Sequence, residues 1–390
     1  MKQTLSPRAI VHTLSIAGLL AGAAMLAGCD AGVRRPDPIR AIWVTRNDYR
    51  TEDDIARIMD NCKGLGMNTV VFQVRGNGTA FYPSRLEPWA EQFDFQDPGY
   101  DPLKTAVREA HKRNLFLEAW VNVLPAWRGT EPPDCSDQLY HTQPEWFWYD
   151  QYGNRQALST FYVSLNACLP EVRAYLVDVF REIVAGYNVD ALHMDYIRFP
   201  TEPPATPRDS DIDYPRDART LKLYREATGL APDDDPQRWI QWRADQLTTL
   251  VTAVQRMIQR TRPRTALTVS VSSDPFRARE RYFQDSLRWV EDGLVDVVYP
   301  MNYTDDLSVF ARRMGNWAGV PEDVVVAQGI GAFRTRSPES LLAQVRTVEE
   351  QHGSYCLFAY SSFFDSTTHT PKPEQEPFVA ALRQHLGVKQ

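Results

Sequence analysis

Histidine and cysteine are scarce in this chain, seven and five among 390 residues. No H-x-H pair stands at a position suited to a metal-dependent barrel hydrolase, and no cysteine pair has the spacing of a zinc site. No metal or cofactor is therefore expected. A G-x-S-x-G elbow, a P-loop and a dinucleotide fingerprint are also missing, since Gly76-Asn77-Gly78 and Gly329-Ile330-Gly331 lack the rest of each pattern. A basic stripe is missing too: 43 Lys and Arg face 50 Asp and Glu, which argues against nucleic acid as a partner. What remains is 43% hydrophobic and 24% charged, the profile of a folded globular protein with a large core.

The first 28 residues read as an export signal and are set aside before any fold argument. Lys2 and Arg8 precede an apolar stretch, Leu14 to Ala27, that is too short for an ordinary membrane span. It ends in Leu26-Ala27-Gly28-Cys29, which resembles the lipobox of bacterial lipoproteins, where the cysteine is lipidated and becomes the mature N-terminus. An ordinary cleaved signal is the alternative. Asp30 resembles the residue that retains enterobacterial lipoproteins at the inner membrane. The expectation is an exported protein, anchored by lipid on Cys29 and facing the periplasm. Export permits disulfides, and Cys135 and Cys168, in one loop-rich stretch, are the candidate pair. Cys62 lies in a helical pattern and Cys356 in a strand, as buried thiols do.

After a linker reaching residue 39, apolar runs rich in Val and Ile alternate with amphipathic helical patterns to the C-terminus, the mark of a parallel α/β fold. Strands are read to begin near Arg40, Asn68, Leu115, Val189, Thr265, Leu294, Val324 and Ser354. Eight βα units predict a (β/α)8 TIM barrel over 40–390. Their spacings, 28, 47, 74, 76, 29, 30 and 30 residues, place long insertions after strands three and four. The first, Leu124 to Cys168, holds nine aromatics in 45 residues, about twice the chain average of 11%. Most of these rings are expected in a satellite core and a few as platforms for sugar rings. The second, Thr201 to Arg238, is acidic and proline-rich and reads as a surface excursion or lid.

Active sites of such barrels sit at the C-terminal mouth of the strands. Strand four ends in His193-Met194-Asp195-Tyr196-Ile197-Arg198-Phe199-Pro200, and alternation puts His193 and Asp195 on one face. An inward carboxylate at a strand mouth is either paired with a cation such as Arg198 or Arg75, or tuned for chemistry. The same parity groups Glu118, Trp120 and Asn122 on strand three, Gln73 and Arg75 on strand two, Ser270, Ser272 and Asp274 on strand five, and Tyr299 and Met301 on strand six, with Asn302 on the other face. Carboxylates, amides, Arg and rings together suit a polyhydroxylated substrate. Glycoside hydrolysis needs two carboxyl groups, about 5 Å apart for retention and roughly 6.5–9.5 Å for inversion. Asp195 is the first choice for one. Glu118, two residue pairs deeper than Asn122, is named with it, and Glu202, Asp274 and Asp305 are further candidates for the second.

These residues also carry a family likeness. RAIWVT from Arg40, NTVVFQVRGNGTAFYPS from Asn68, LEAWVN and above all VDALHMDYIRFP from Val189 resemble the glycosyl-hydrolase-like family 10, exported and often lipid-anchored bacterial barrel proteins. The resemblance runs from about Arg40 to Tyr360. It implies a TIM barrel and the strand-four carboxylate at Asp195, and at least one branch of the family acts on peptidoglycan glycan strands stripped of their peptides. Asp195, Tyr196, Arg198, Arg75, Trp120 and Asn122 match the family's pattern. Many members carry a second Asp where this chain has Met194, and His where it has Glu118.

The expected activity is hydrolysis of a glycosidic bond in a polysaccharide, most of all the cell-wall glycan. Asp195 and Glu118 are the catalytic carboxyls, with Arg75, Trp120, Asn122, His193, Tyr196, Arg198, Tyr299 and Asn302 as the substrate-binding set. The alternative is a non-catalytic glycan-binding or scaffolding lipoprotein on a degenerate barrel.

Overall fold

Near-continuous apolar runs with β-branched residues make strands that are buried on both faces. In the computed structural model, which describes Met1 and residues 35–199, 212–351 and 353–388, eight such runs form β1 (Arg40–Val44), β2 (Thr69–Arg75), β3 (Phe116–Asn122), β4 (Ala191–Asp195), β5 (Ala266–Ser272), β6 (Val297–Met301), β7 (Val325–Gly331) and β8 (Ser354–Phe358). All pair in parallel, and β8 pairs with β1 to close the ring. The expectation of a TIM barrel holds, with each strand starting within three residues of its predicted start. The export signal, Cys29 and Asp30 lie outside the described residues, as does Glu202. No helix among the described residues is long and apolar enough to cross a membrane.

Helices follow each strand because the chain marks their ends. Thr51 opens Glu52–Gly64 with a capping box, Asp101 caps Pro102–Lys112 ahead of a first-turn proline, and Asp235 caps Pro236–Thr261 in the same way. Their apolar stripes pack on the outer faces of the strands in the main core. Inward residues form a second, smaller core around Trp43, Val71, Trp120, Val297, Tyr299 and Cys356, so the barrel centre is filled and not a pore. Trp43 fits there because β7 carries Gly329: a Cβ at that position would sit 2.8 Å from Pro300 O and 3.3 Å from the Trp43 ring.

The stretch between β3 and β4 is tied to the rim by an antiparallel pair, Pro125–Gly129 with Ser159–Ser164. Most of its rings do build a satellite core. Trp148 is buried, donates from Nε1 to Leu165 O at 2.9 Å and stacks on Phe199 at 4.8 Å, and Trp146 packs on Tyr175. The expected Cys135–Cys168 bridge is absent, and both are free thiols. Cys168 is buried in the core just before helix Pro170–Gly186, its N–H donating to Asn166 Oδ1 at 3.0 Å. Cys135 is only half-buried, in the loop whose carbonyl accepts from Gln138. Closeness in sequence did not bring the two side chains together.

Arg75 departs from the expected role in substrate binding. The β2–β3 register slips between Gln73 and Arg75, so that Gln73 faces Trp120 but Arg75 faces Val121. A bulge of this kind moves a side chain to the other face and defeats strict alternation. Arg75 is fully buried, pairs with Glu87 through Nη2–Oε1 at 2.6 Å, and donates to the carbonyls of Asn122 and Val123. It thereby clamps the ends of β2 and β3. Removing one partner leaves an uncompensated buried charge, so Glu87→Ala is expected to cost about 3–5 kcal/mol, measured as a lower urea midpoint; an unchanged midpoint would show that the clamp carries no weight.

Candidate active site

A cavity of about 460 Å³ opens at the C-terminal mouth of the barrel. Strand ends supply its wall: Gln73 from β2, Trp120 and Asn122 from β3, Asp195 from β4, Ser270 and Ser272 from β5, Met301 from β6 and Phe358 from β8. Asp195 is 6% exposed and stands opposite Asn122 in the β3–β4 register. Its Oδ1 accepts from the Tyr196 N–H at 2.6 Å and lies 3.6 Å from Arg198 Nη1. Burial pushes the Asp195 carboxyl above the usual carboxylate range, while Arg198, His193 and the Tyr196 N–H pull it part of the way back. A buried, part-paired carboxyl of this kind holds a proton to higher pH than an ordinary aspartate, as a general acid requires.

The backbone turns sharply after Asp195. Tyr196 has φ of 54°, a left-handed conformation that costs about 1–3 kcal/mol in a residue other than glycine. The turn keeps Tyr196 and Arg198 on the cavity wall, with the Arg198 guanidinium 4.3 Å from the Tyr196 ring. On the neighbouring strand, Trp120 Nε1 donates to Asn122 Oδ1 at 3.0 Å, which orients the amide. Asn122 Nδ2 is buried without a protein partner, a donor available to a ligand.

Of the expected site residues, the cavity gathers Asp195, Asn122, Trp120, Tyr196 and Arg198. The other five lie elsewhere, Arg75 in its clamp with Glu87. Glu118 is sealed beneath the floor, where its carboxylate accepts from Tyr299 at 2.5 Å and from Thr268 at 2.6 Å, with His193 Nδ1 at 3.2 Å. It does not reach the cavity. His193 and Tyr299 are likewise fully buried in this network and not on its wall. The Trp43 Nε1–H points at His193 Nε2 at 3.4 Å, and Ser270, which does line the cavity, contacts the same nitrogen at 2.8 Å. Asn302 is buried and ties its own loop down, donating to Phe310 O at 2.9 Å. Asp274 caps helix Pro275–Tyr282, and Asp305 pairs with Arg336. Among the described residues, Asp195 is the one carboxylate on the cavity wall, and no group of three or more His, Cys, Asp or Glu is arranged to hold a metal ion.

Sequence reasoning missed several wall residues. Tyr303 and Phe358 pack against each other at 5.3 Å and against Trp43 at 6.3 and 5.7 Å, giving the cavity an aromatic side that the long insertion was expected to provide. Of that insertion's nine aromatics only Tyr162 reaches the cavity. Alternation carried two residues past Met301 and Cys356 would have found Tyr303 and Phe358. Arg46 lies on the loop beyond β1 and Arg128 in the short strand Pro125–Gly129 beyond β3, outside the barrel strands to which parity applies.

The chain matches the family model described as "Glycosyl hydrolase-like 10" over residues 38–335. The chain belongs to this family. Among curated relatives, it is 26% identical over 295 residues to "Glycosyl hydrolase YngK" of Bacillus subtilis (strain 168), and 29% identical over 304 residues to "Glycosyl hydrolase DigH" of Escherichia coli (strain K12). Each match covers 68% of this chain but only 54% and 65% of those proteins. The fold is similar to the glycoside hydrolase domain of PgaB (BpsB) from Bordetella bronchiseptica, with TM-score 0.67, 12% identity, and 91% of this chain and all of that one covered. It is also similar to the catalytic domain of a β-amylase from Paenibacillus polymyxa, with TM-score 0.61, 10% identity and coverage of 90% and 99%. Of the two carboxylates expected from the sequence, Asp195 lies on the cavity wall and Glu118 beneath its floor.

The buried network has a measurable consequence. Burial and the Glu118 charge hold the Tyr299 hydroxyl well above the usual tyrosine range, so it remains a donor. Tyr299→Phe removes one hydrogen bond to a buried carboxylate and is expected to cost about 1.5–3 kcal/mol in denaturant unfolding, whereas a loss below the error of the titration would mean that the carboxylate is satisfied without it.

Proposed function

We propose that the protein is an exported glycoside hydrolase, held to a bacterial membrane by lipid on Cys29 and facing the periplasm, that cleaves the glycan strands of peptidoglycan. The observation that carries the reading is Asp195: a buried carboxyl with a raised pKa, on the wall of the mouth cavity in a barrel of the glycosyl hydrolase-like 10 family. Asp195 donates its proton to the leaving glycosidic oxygen as the bond to the anomeric carbon breaks. Water adds to that carbon, and the proton that the water releases restores Asp195 to its acid form through solvent. Asn122 and Arg198 hold polar groups of the sugar, and Trp120, Tyr303 and Phe358 face its apolar sides. Both relatives carry the name glycosyl hydrolase, which supports the reaction class.

A second reading, a glycan-binding protein without turnover, is favoured by one observation. Among the described residues no other carboxylate lines the cavity, and the common hydrolytic mechanisms use two. Turnover separates the readings. Protein lacking residues 1 to 28 is expected to release soluble fragments from peptide-free cell-wall glycan, and Asp195→Asn to slow this by about 10²–10⁴-fold with an unchanged melting profile. Equal release by the variant would overturn the assignment of Asp195.

The pH dependence follows from the sign of the shift. A general acid works while protonated, so the rate is full below the Asp195 pKa and falls as pH rises through it. Because burial raises that pKa, the falling limb is expected above the ordinary aspartate value of 3.8. A rate that instead rises with pH across the acidic range would assign Asp195 to a base or nucleophile.

Anchoring is tested apart from catalysis. The Leu26-Ala27-Gly28-Cys29 sequence and the Asp30 that follows support a lipoprotein, inner membrane before outer. Cys29→Ser is expected to move the protein from the membrane pellet to the soluble fraction; continued sedimentation with membranes would reject the lipid anchor.

A further inference from the structure

Three arginines are buried among the described residues: Arg46, Arg75 and Arg243. Two have carboxylate partners, Glu87 for Arg75 and Asp213 for Arg243. Arg46, only 5% exposed, has none among the described residues. Its Nη1 donates to the Tyr162 hydroxyl at 3.2 Å, and its Nε is buried without a partner. A buried cation without a counter-charge is costly, and this one lines the cavity beside Asp195.

The position is built, not incidental. A Cβ on Gly76 would lie 2.6–2.8 Å from Cδ, Nε and Cζ of Arg46, so the guanidinium occupies space that only a glycine leaves open. The Arg46 backbone N–H is held by Gln73 Oε1 at 3.0 Å. A second guanidinium, that of Arg128, approaches the same Tyr162 ring, with Cζ at 5.6 Å against 5.9 Å for Arg46. Arg128 is fixed through Nε to Thr160 O at 2.8 Å. The third cavity guanidinium, Arg198, offsets Asp195. The wall therefore carries two positive charges that are not in an ion pair with any carboxylate among the described residues.

We propose that Arg46 and Arg128, which both lie against Tyr162 on the cavity wall, form a receptor for a carboxylate carried by the substrate sugar. A guanidinium fork matches a carboxylate with paired donors, which a lysine does not. This rests on the glycan reading above and sharpens it. In a peptidoglycan strand the lactyl ether of the muramic sugar ends in a free carboxylate once its peptide is gone, and in a neutral amide while the peptide remains. The receptor thus favours a sugar that carries a free carboxylate over the same sugar carrying an amide, and Arg46 and Arg128 are specificity-determining residues.

The test uses the chain lacking residues 1 to 28, with Asp195→Asn to prevent turnover, and calorimetric binding of two probes. One is peptide-free glycan fragments; the other is the same fragments with their carboxylates converted to amides by carbodiimide and ammonia. The acid form is expected to bind at least about tenfold tighter at low salt, with the gap narrowing as salt rises. Arg46→Gln should bring the acid-to-amide ratio close to one, and Arg46→Lys should keep part of it. Because Arg46 is buried and its loss can disturb folding, Arg128→Gln on the exposed rim serves as the second variant and should lower the same ratio several-fold. Equal binding of the two forms, no binding of either, or an unchanged ratio in both glutamine variants overturns the proposal. Turnover of both forms at equal KM by the chain with Asp195 intact would leave the hydrolase reading standing and remove this one. Selective binding without any turnover would do the reverse.

Discussion

The centre of an eight-stranded parallel barrel is just wide enough to be filled by side chains, so a polar group placed there must find its partners inside the ring. Glu118 is the severest case. Its carboxylate, completely buried, is held by Thr268 and Tyr299, which lie 150 and 181 residues away in sequence, and faces His193. Through His193 the same network reaches Trp43 and Ser270, and Ser270 lines the cavity. The floor beneath Asp195 is therefore a satisfied polar network packed against aromatic rings. Site precision in this protein depends on that floor.

Charge compensation separates structural from functional residues here. Arg75 and Glu118 were expected at the site because they are polar, inward by parity and close to the family's motif. Both turn out to be fully partnered, Arg75 by Glu87 and two carbonyls, Glu118 by its hydroxyl donors. Asp195 and Arg46 are as deeply placed but incompletely matched: one is met by a guanidinium at 3.6 Å, the other by a phenol and no carboxylate among the described residues. Unmatched buried charge is unfavourable for folding and useful for a ligand, which supplies the missing partner.

Much of the barrel was legible because its signals are local. Val-rich runs such as Thr69–Arg75 and capped amphipathic helices such as Glu52–Gly64 depend on neighbours within a few residues, and all eight strands were read within three residues of their starts. Parity on β3 and β4 also placed Trp120, Asn122 and Asp195 on the correct face. It failed at Arg75, where one extra residue in β2 breaks the alternation, and it stopped short of Tyr303 and Phe358, which continue the inward rows of β6 and β8 past the strand readings. The aromatic density of the insertion after β3 was real, but most of it packs that insertion on the barrel.

By itself the sequence determined the ring of eight βα units, the mouth at which Asp195 stands and the family to which the motif belongs, because alternation, caps and a contiguous motif are written in consecutive residues. Only the tertiary structure decided which carboxylate meets the cavity, which arginine is paired and which rings form the wall. Those outcomes depend on residues far apart in the chain closing around one another, and on bulges and loop paths that no local period records.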